Sequence, residues 1–340
     1  MIPLPFISRN ENIARYENGE VFILDRRVYP FKVEFVRCSN VEDVARAIEE
    51  MVTQSYGPGL AASYGMVMSA RNGKDRSESA QRATLEQAAG RLIQTRPTNN
   101  LIKVKVNQLL DKAIQAITRG LDVEQELLAE ISLDFEITDQ RAAALGLFGA
   151  SLIHNGDAIL THCWPDSSLV YTVRSALNEG KRIKAYCSET RPYLQGARLT
   201  ADALSEMGVD TTVITDNMPA ALMSRGMIHS FFAGSDRVTM SGHVVNKVGT
   251  LQVAICAKTF RVPFYAFIYG PDRAALTPED VEIEERNPEE TLYCLGQRTA
   301  TLRAKGYYPA FDVTPPQYVT ALVTDRGIFS PYSTWDYYRE

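Results

Sequence analysis

The sequence predicts an α/β protein of two domains, a β-hairpin followed by helices and then a parallel sheet covered by helices on both faces. Three observations carry that reading. The chain has 340 residues, and domains usually run to roughly 100–200. Asn18-Gly19 lies between two runs of alternating apolar and polar residues. After Asn155-Gly156-Asp157, short strand-like runs alternate with helical patterns, the mark of βαβ units.

The elements follow in order. Asn-Gly tolerates the positive φ of a tight type I′ turn, so strands are expected near Ile13–Glu17 and Glu20–Asp25, with a third at Lys32–Cys38. Ser39 and Asn40 offer a cap, and Val41–Gln54 places apolar residues at helical spacing. Helices are expected at Leu60–Ala70, ended by Asn72-Gly73, and at Ser77–Gln94. Arg96-Pro97-Thr98 breaks the pattern, because proline disfavours helical geometry in the residue before it. Leu101–Thr118, Val123–Ile131 and Thr138–Ile153 read as helices. The first 150 residues are thus a hairpin followed by helices, and the domain division is set at residues 1–125 and 126–340. Beyond Asp157, strands are expected at Ala158–His162, Ile183–Ser188, Thr211–Thr215, Ser230–Ala233 and Pro263–Phe267. Between them come helices at Ser167–Leu177, Ala197–Met207, Pro219–Arg225 and Thr250–Thr259.

Composition excludes several classes. With 36 Lys and Arg against 41 Asp and Glu the net charge is −5, unlike the basic balance of a nucleic-acid binder. The longest nearly apolar run, Ala142 to Ile153, is too short for a bilayer. The amino terminus lacks the basic and apolar regions of a signal peptide. The five cysteines (Cys38, Cys163, Cys187, Cys256, Cys294) include no CxxC pair and no histidine at ligand spacing, which argues against disulfides, zinc or another metal. A reducing cytoplasm is expected. No GxGxxG or GxxxxGK[ST] follows a strand, so neither a dinucleotide nor a P-loop site is expected.

In open parallel sheets, ligands bind outside the carboxyl ends of the strands. Cys163 follows the first strand of the second half, before a helix expected to begin at Pro165. A thiol there faces unpaired N–H groups that would lower its pKa; the other reading is a buried structural cysteine. Asp236, in Ala233-Gly234-Ser235-Asp236-Arg237, is either a general acid with a pKa raised by apolar neighbours or a cap or partner of Arg237. Asp216 has the same two readings, with the cap of the Met218 helix favoured over catalysis. Arg191, Arg96 and Lys247 could bind phosphate or form surface ion pairs. His162 cannot serve Cys163 directly, since adjacent strand residues point to opposite faces; it is expected to be packed or hydrogen-bonded in the core.

Thr161-His162-Cys163 and Glu189-Thr190-Arg191-Pro192-Tyr193-Leu194-Gln195-Gly196-Ala197-Arg198-Leu199-Thr200 resemble the 5-methylthioribose-1-phosphate isomerase family. So do Ile214-Thr215-Asp216-Asn217-Met218, Gly234-Ser235-Asp236-Arg237, Asn246-Lys247-Val248-Gly249-Thr250, Glu282–Glu290 and Pro309-Ala310-Phe311-Asp312-Val313-Thr314-Pro315. The likeness reaches Arg96-Pro97-Thr98 and the hairpin, hence nearly the whole chain. The superfamily also holds ribose-1,5-bisphosphate isomerases and regulatory subunits of a translation-initiation exchange factor. The resemblance implies a Rossmann-like carboxy-terminal domain, a cytoplasmic homodimer, a sugar-phosphate substrate from methionine salvage, and no metal or organic cofactor. It implies Cys163 and Asp236 as the catalytic pair, and Arg96, Gln195, Asn246 and Lys247 as phosphate and sugar contacts.

Two departures bear on the substrate. The family's substrate loop carries Arg-Gly-Ala-Pro; here it reads Gln54-Ser55-Tyr56-Gly57-Pro58-Gly59, without the arginine and one residue shorter. Gln54, Ser55, Tyr56 and Gly57 are therefore taken as the substrate segment. After the cysteine the family has Asn-Ala-Gly, where this chain has Trp164-Pro165-Asp166. The resemblance implies an aldose-ketose isomerase of a pentose 1-phosphate, with a non-catalytic sugar-phosphate or nucleotide-binding regulator as the rival.

Overall fold

A computed structural model describes residues 2–96 and 99–339. Pro97 and Thr98, part of the expected break, lie outside the described residues. The chain divides into two compact units, Phe6–Asp139 and Met1–Pro5 with Gln140–Glu340.

The first unit starts with α1 (Asn10–Ile13), then a three-stranded antiparallel sheet of β1 (Ala14–Glu17), β2 (Glu20–Leu24) and β3 (Phe35–Cys38). Asn18 and Gly19 take φ of 54° and 89° and close the β1–β2 hairpin with Glu17 opposite Glu20, as the turn residues dictate. Helices follow at α2 (Val41–Glu49), α3 (Gly57–Gly73), α4 (Glu78–Gln94), α5 (Asn100–Thr118) and α6 (Val123–Ser151). Asn40 caps α2 by accepting from the Asp43 N–H, and Ser77 caps α4 the same way through Ala80. The core gathers Val21 and Ile23 of the hairpin with Val44, Ile48, Met66, Leu92 and Val106 of the helices.

Three expectations need correction here. The α2 helix stops at Glu49 rather than Gln54, because Met51 has left the helical region at φ 60°. Val123–Ile131 and Thr138–Ile153 are one continuous helix. Leu133 and Ile137 are exposed, so apolar spacing does not trace its buried face there, and no glycine or proline lies between Ile131 and Thr138 to break it. The units part inside this helix, after Asp139, not at 125/126.

The second unit is built on a seven-stranded sheet. In chain order its parts are β4 (Ala158–His162), α7 (Ser167–Asn178), β5 (Lys184–Ser188), α8 (Ala201–Glu206), β6 (Asp210–Ile214), α9 (Pro219–Ser224) and β7 (Ser230–Gly234). Then come β8 (Arg237–Val238), β9 (Val244–Lys247), α10 (Thr250–Thr259), β10 (Phe264–Phe267) and a small hairpin of β11 (Tyr293–Cys294) and β12 (Gln297–Arg298). The last strands are β13 (Phe311–Thr314), β14 (Ala321–Thr324) and β15 (Gly327–Phe329). The large sheet runs β15-β14-β10-β7-β4-β5-β6, parallel throughout except for β15. Its interior strand β4 is buried at every position, Thr161 and His162 included, so its sequence does not alternate between apolar and polar. A second, antiparallel sheet of β13-β9-β8 was not foreseen. No helix among the described residues is long and apolar enough to cross a membrane.

Candidate active site at the carboxyl ends of the sheet

From β4 the chain first builds outward through β5 and β6, then returns to place β7 on the other side of β4. The strand order reverses between β4 and β7, and such a reversal opens a crevice at the carboxyl ends where ligands bind. Cys163 directly follows β4 and Asp236 follows β7. The register pairs His162 with Ala233, so Cys163 and Asp236 follow the same end of neighbouring strands, one and three residues beyond that pair. The loops also approach closely: a Cβ on Gly234 would lie 3.2 Å from Pro165 Cα.

Cys163 is held by hydroxyls. Its N–H donates to Thr190 Oγ1 at 2.9 Å, and its carbonyl accepts from Thr200 Oγ1. Its φ is +64°, and Thr190 matches it at the end of the neighbouring strand. Left-handed geometry in non-glycine residues is costly and concentrates at functional sites. The helix after Cys163 starts at Ser167, not Pro165, because Asp166 also adopts φ 54°. The thiol therefore sits outside the first helical turn. Contrary to the sequence expectation, burial pushes its pKa up, and the nearby Lys247 and Arg286 charges do not overcome that cost. Asp236 is exposed within this unit, not enclosed by apolar neighbours, and its N–H donates to the Val245 carbonyl at 2.9 Å. Arg237 pairs instead with Asp272 at 3.3 Å.

Asn246 and Lys247 are buried on β9. Asn246 Nδ2 donates to Thr250 Oγ1 at 2.9 Å, and Lys247 Nζ donates to Tyr308 Oη at 3.2 Å. The lysine also lies 5.2 Å from the Phe311 ring centre. Gln195 is buried where the β5 loop enters a π-helical turn, Gly196–Thr200. Gly196 is forced there, since a Cβ would meet the Ser188 carbonyl at 1.8 Å.

Other candidates are structural. Asp216 does not cap α9; its carboxylate accepts from the Thr190 and Arg191 N–H groups at 2.8 and 2.7 Å and pins the neighbouring loop. The Arg191 guanidinium donates to the carbonyls of Pro192, Thr291 and Tyr293. His162 is buried, as expected, and burial lowers its pKa. Its Nε2 lies 3.0 Å from the Val248 carbonyl, which can only accept. Nδ1 is then the acceptor for the Ser188 hydroxyl at 2.6 Å.

In the first unit, the segment expected to meet substrate is braced from within. Arg26 is fully buried and donates to the Gln54 carbonyl at 2.8 Å. Ser55 is exposed at φ 56°, and Tyr56 Oη donates to Asp134 at 3.2 Å. Gly57 admits no Cβ, which would lie 1.8 Å from Thr53 Oγ1. Arg96 is partly exposed at the end of α4.

Four residues around the second unit's site escaped the sequence reading: Arg286, Glu290, Tyr308 and Asp312. Arg286, Glu290 and Asp312 belong to motifs that carried the resemblance and Tyr308 directly precedes one, but all four lie in short strands and loops without periodicity. Asp312 accepts from the Gly249 and Leu251 N–H groups and so caps α10 from β13. Burial nevertheless raises its pKa from 3.8 to about 6, against the pull of those bonds and of Lys247. The folded protein holds this proton more tightly than the unfolded chain. The contribution is full below pH 4 and lost as pH rises through 6. Asp312→Asn, which never ionises, should therefore gain stability relative to the parent between pH 4 and 6, by at most about 3 kcal/mol. Parallel melting curves that keep a constant separation over this range would refute that coupling.

Comparison with known proteins places this geometry in a family. The profile of the initiation factor 2 subunit family matches residues 52–331. A methylthioribose-1-phosphate isomerase of Thermotoga maritima is 38% identical over 93% of this chain and 94% of its own. One from Chloroflexus aurantiacus is 36% identical with the same coverage. Among solved structures, translation initiation factor eIF-2B subunit delta from A. fulgidus superposes with a TM-score of 0.81 at 34% identity, covering 94% and 96% of the two chains. The 5-methylthioribose 1-phosphate isomerase of Pyrococcus horikoshii gives 0.80 at 31%, covering 94% and 93%. With more than half its length matched by the profile and relatives above 30% identity across it, the chain belongs to the initiation factor 2 subunit family, alongside methylthioribose-1-phosphate isomerases.

Proposed function

We propose that this protein is an aldose-ketose isomerase that converts 5-methylthioribose 1-phosphate to methylthioribulose 1-phosphate. The observation that carries the proposal is that Cys163 and Asp236 follow neighbouring strands, β4 and β7, on either side of the strand-order reversal, in a chain whose relatives are methylthioribose-1-phosphate isomerases. In an aldose 1-phosphate the anomeric oxygen is esterified, so the ring cannot simply open to an aldehyde. Protonation of the ring oxygen by Asp236 breaks its bond to C1. Hydrogen then moves from C2 to C1 with its electron pair while the C2 hydroxyl gives up its proton, which restores the acid form of the Asp236 carboxylate, leaving a ketone at C2. Cys163 serves that hydrogen transfer, and its protonated resting state suits a group that donates or relays a proton. Covering the crevice with substrate would dry the exposed Asp236 carboxyl and favour its acid form.

Lys247, Asn246 and Gln195 act in this reading as phosphate and sugar contacts. Arg96, Gln54, Ser55, Tyr56 and Gly57 stay with it as substrate residues, as do a Rossmann-like sheet and a cytoplasmic homodimer. A second reading, a non-catalytic sugar-phosphate or nucleotide-binding regulator, draws on the missing loop arginine and the likeness to an initiation factor subunit. Assay of a panel of pentose and deoxypentose 1-phosphates for ketose formation separates them. Turnover is expected, with 5-methylthioribose 1-phosphate preferred. Faster turnover of another pentose 1-phosphate would reassign the substrate. Tight binding without turnover of any sugar would leave the regulator.

A further inference from the structure

Beside β13 the segment around Glu285 forms one more antiparallel rung. Arg286 N–H donates to the Tyr308 carbonyl at 3.0 Å, and Ala310 N–H donates to the Glu284 carbonyl at 2.8 Å. On the other side, β13 pairs with β9 and sets Phe311 opposite Lys247. Arg286 and Lys247 thus flank one strand, with Tyr308 between them. Only 8% of the Arg286 side chain is exposed. Its Nε is anchored on Glu284 at 3.0 Å, while its buried Nη1 has no hydrogen-bond partner among the described residues. A bare donor on a buried cation is expensive, and native proteins rarely keep one without a use. This charge is also felt by the Cys163 thiol and the Glu290 carboxyl, which puts the guanidinium in the neighbourhood of the thiol.

We infer that Arg286 is a substrate-binding residue whose free guanidinium edge, together with Lys247, grips the phosphate group of the sugar phosphate. The inference rests on the proposed isomerase reading for the identity of that substrate. One edge of the guanidinium is fixed by Glu284, and the other is left to meet phosphate oxygens with the forked geometry that arginine offers. A phosphate dianion calls for more than one cation, and Lys247 alone supplies one. Burial raises the pKa of nearby Glu290, against the pull of the Arg286 and Lys247 charges.

Calorimetric titration of the full chain with inorganic phosphate, alongside steady-state kinetics on 5-methylthioribose 1-phosphate, tests this. Arg286→Gln should weaken phosphate binding at least tenfold and raise KM more than it lowers kcat, with its melting temperature near the parent value. Arg286→Lys should weaken binding by a smaller, measurable factor, because lysine keeps the charge and loses the fork. Native phosphate affinity in a folded Arg286→Gln, or in Arg286→Lys should the glutamine variant not fold, would overturn the inference. The isomerase reading fails separately. If the parent turns over no sugar phosphate yet binds phosphate through Arg286, the site assignment stands and the reaction does not.

Discussion

Cys163→Ser and Asp236→Asn should each fold normally and lose about 10²–10⁴-fold in turnover, the usual contribution of a positioned proton-transfer group. Serine keeps the size of the side chain, and the hydroxyls of Thr190 and Thr200 bond only the backbone of residue 163. The loop should therefore hold its shape while the far less acidic hydroxyl replaces the thiol. Asparagine keeps the shape of Asp236 and removes its transferable proton, so substrate should still bind. If the two act as one unit, the double variant should be little slower than either single one. Alkylation of Cys163 against pH should show its inflection above the ordinary thiol range near 8.5, because burial dominates its surroundings. Full activity in Cys163→Ser would remove the thiol from the chemistry, and a low inflection would mean that Lys247 and Arg286 outweigh burial.

Lys247→Ala should lower kcat/KM by about 10- to 150-fold, corresponding to roughly 1.5–3 kcal/mol for a charge-assisted hydrogen bond to bound phosphate. The lysine is buried, and its Nζ meets Tyr308 Oη and the Phe311 ring, so truncation also removes packing. Lys247→Met retains the stem and separates the two effects. Its catalytic loss should match that of the alanine variant while its melting temperature stays closer to the parent. Native kcat/KM in a folded Lys247→Met would take the lysine out of the substrate site.

The parallel strands were legible because buried β-strands leave compact apolar runs with polar residues at their carboxyl ends. Ala158–His162 matches β4 residue for residue, and that strand leads straight to Cys163. Lys247 stood out only as one of several cations that could bind phosphate, and Asn246 was reached only through resemblance. Their strand β9 has four residues and is fixed by β13, more than sixty residues later, a pairing that leaves no local periodicity. Arg286 was missed for the same reason, since its neighbour Tyr308 is brought in by a single bridged rung. The helix expected at Pro165 failed on backbone geometry. Nothing in the side chains of Cys163 or Asp166 announces a positive φ, and tertiary bonds from Thr190 and Thr200 impose it at the cysteine.

The protonated resting state of Cys163 has a consequence for the durability of the protein. Peroxides attack thiolates, and susceptibility follows thiolate character and access. A sulfur whose surroundings favour the thiol offers oxidants little of the reactive form between turnovers. The same surroundings that hold this sulfur protonated lower the share of it open to oxidation to sulfenic and sulfinic acids.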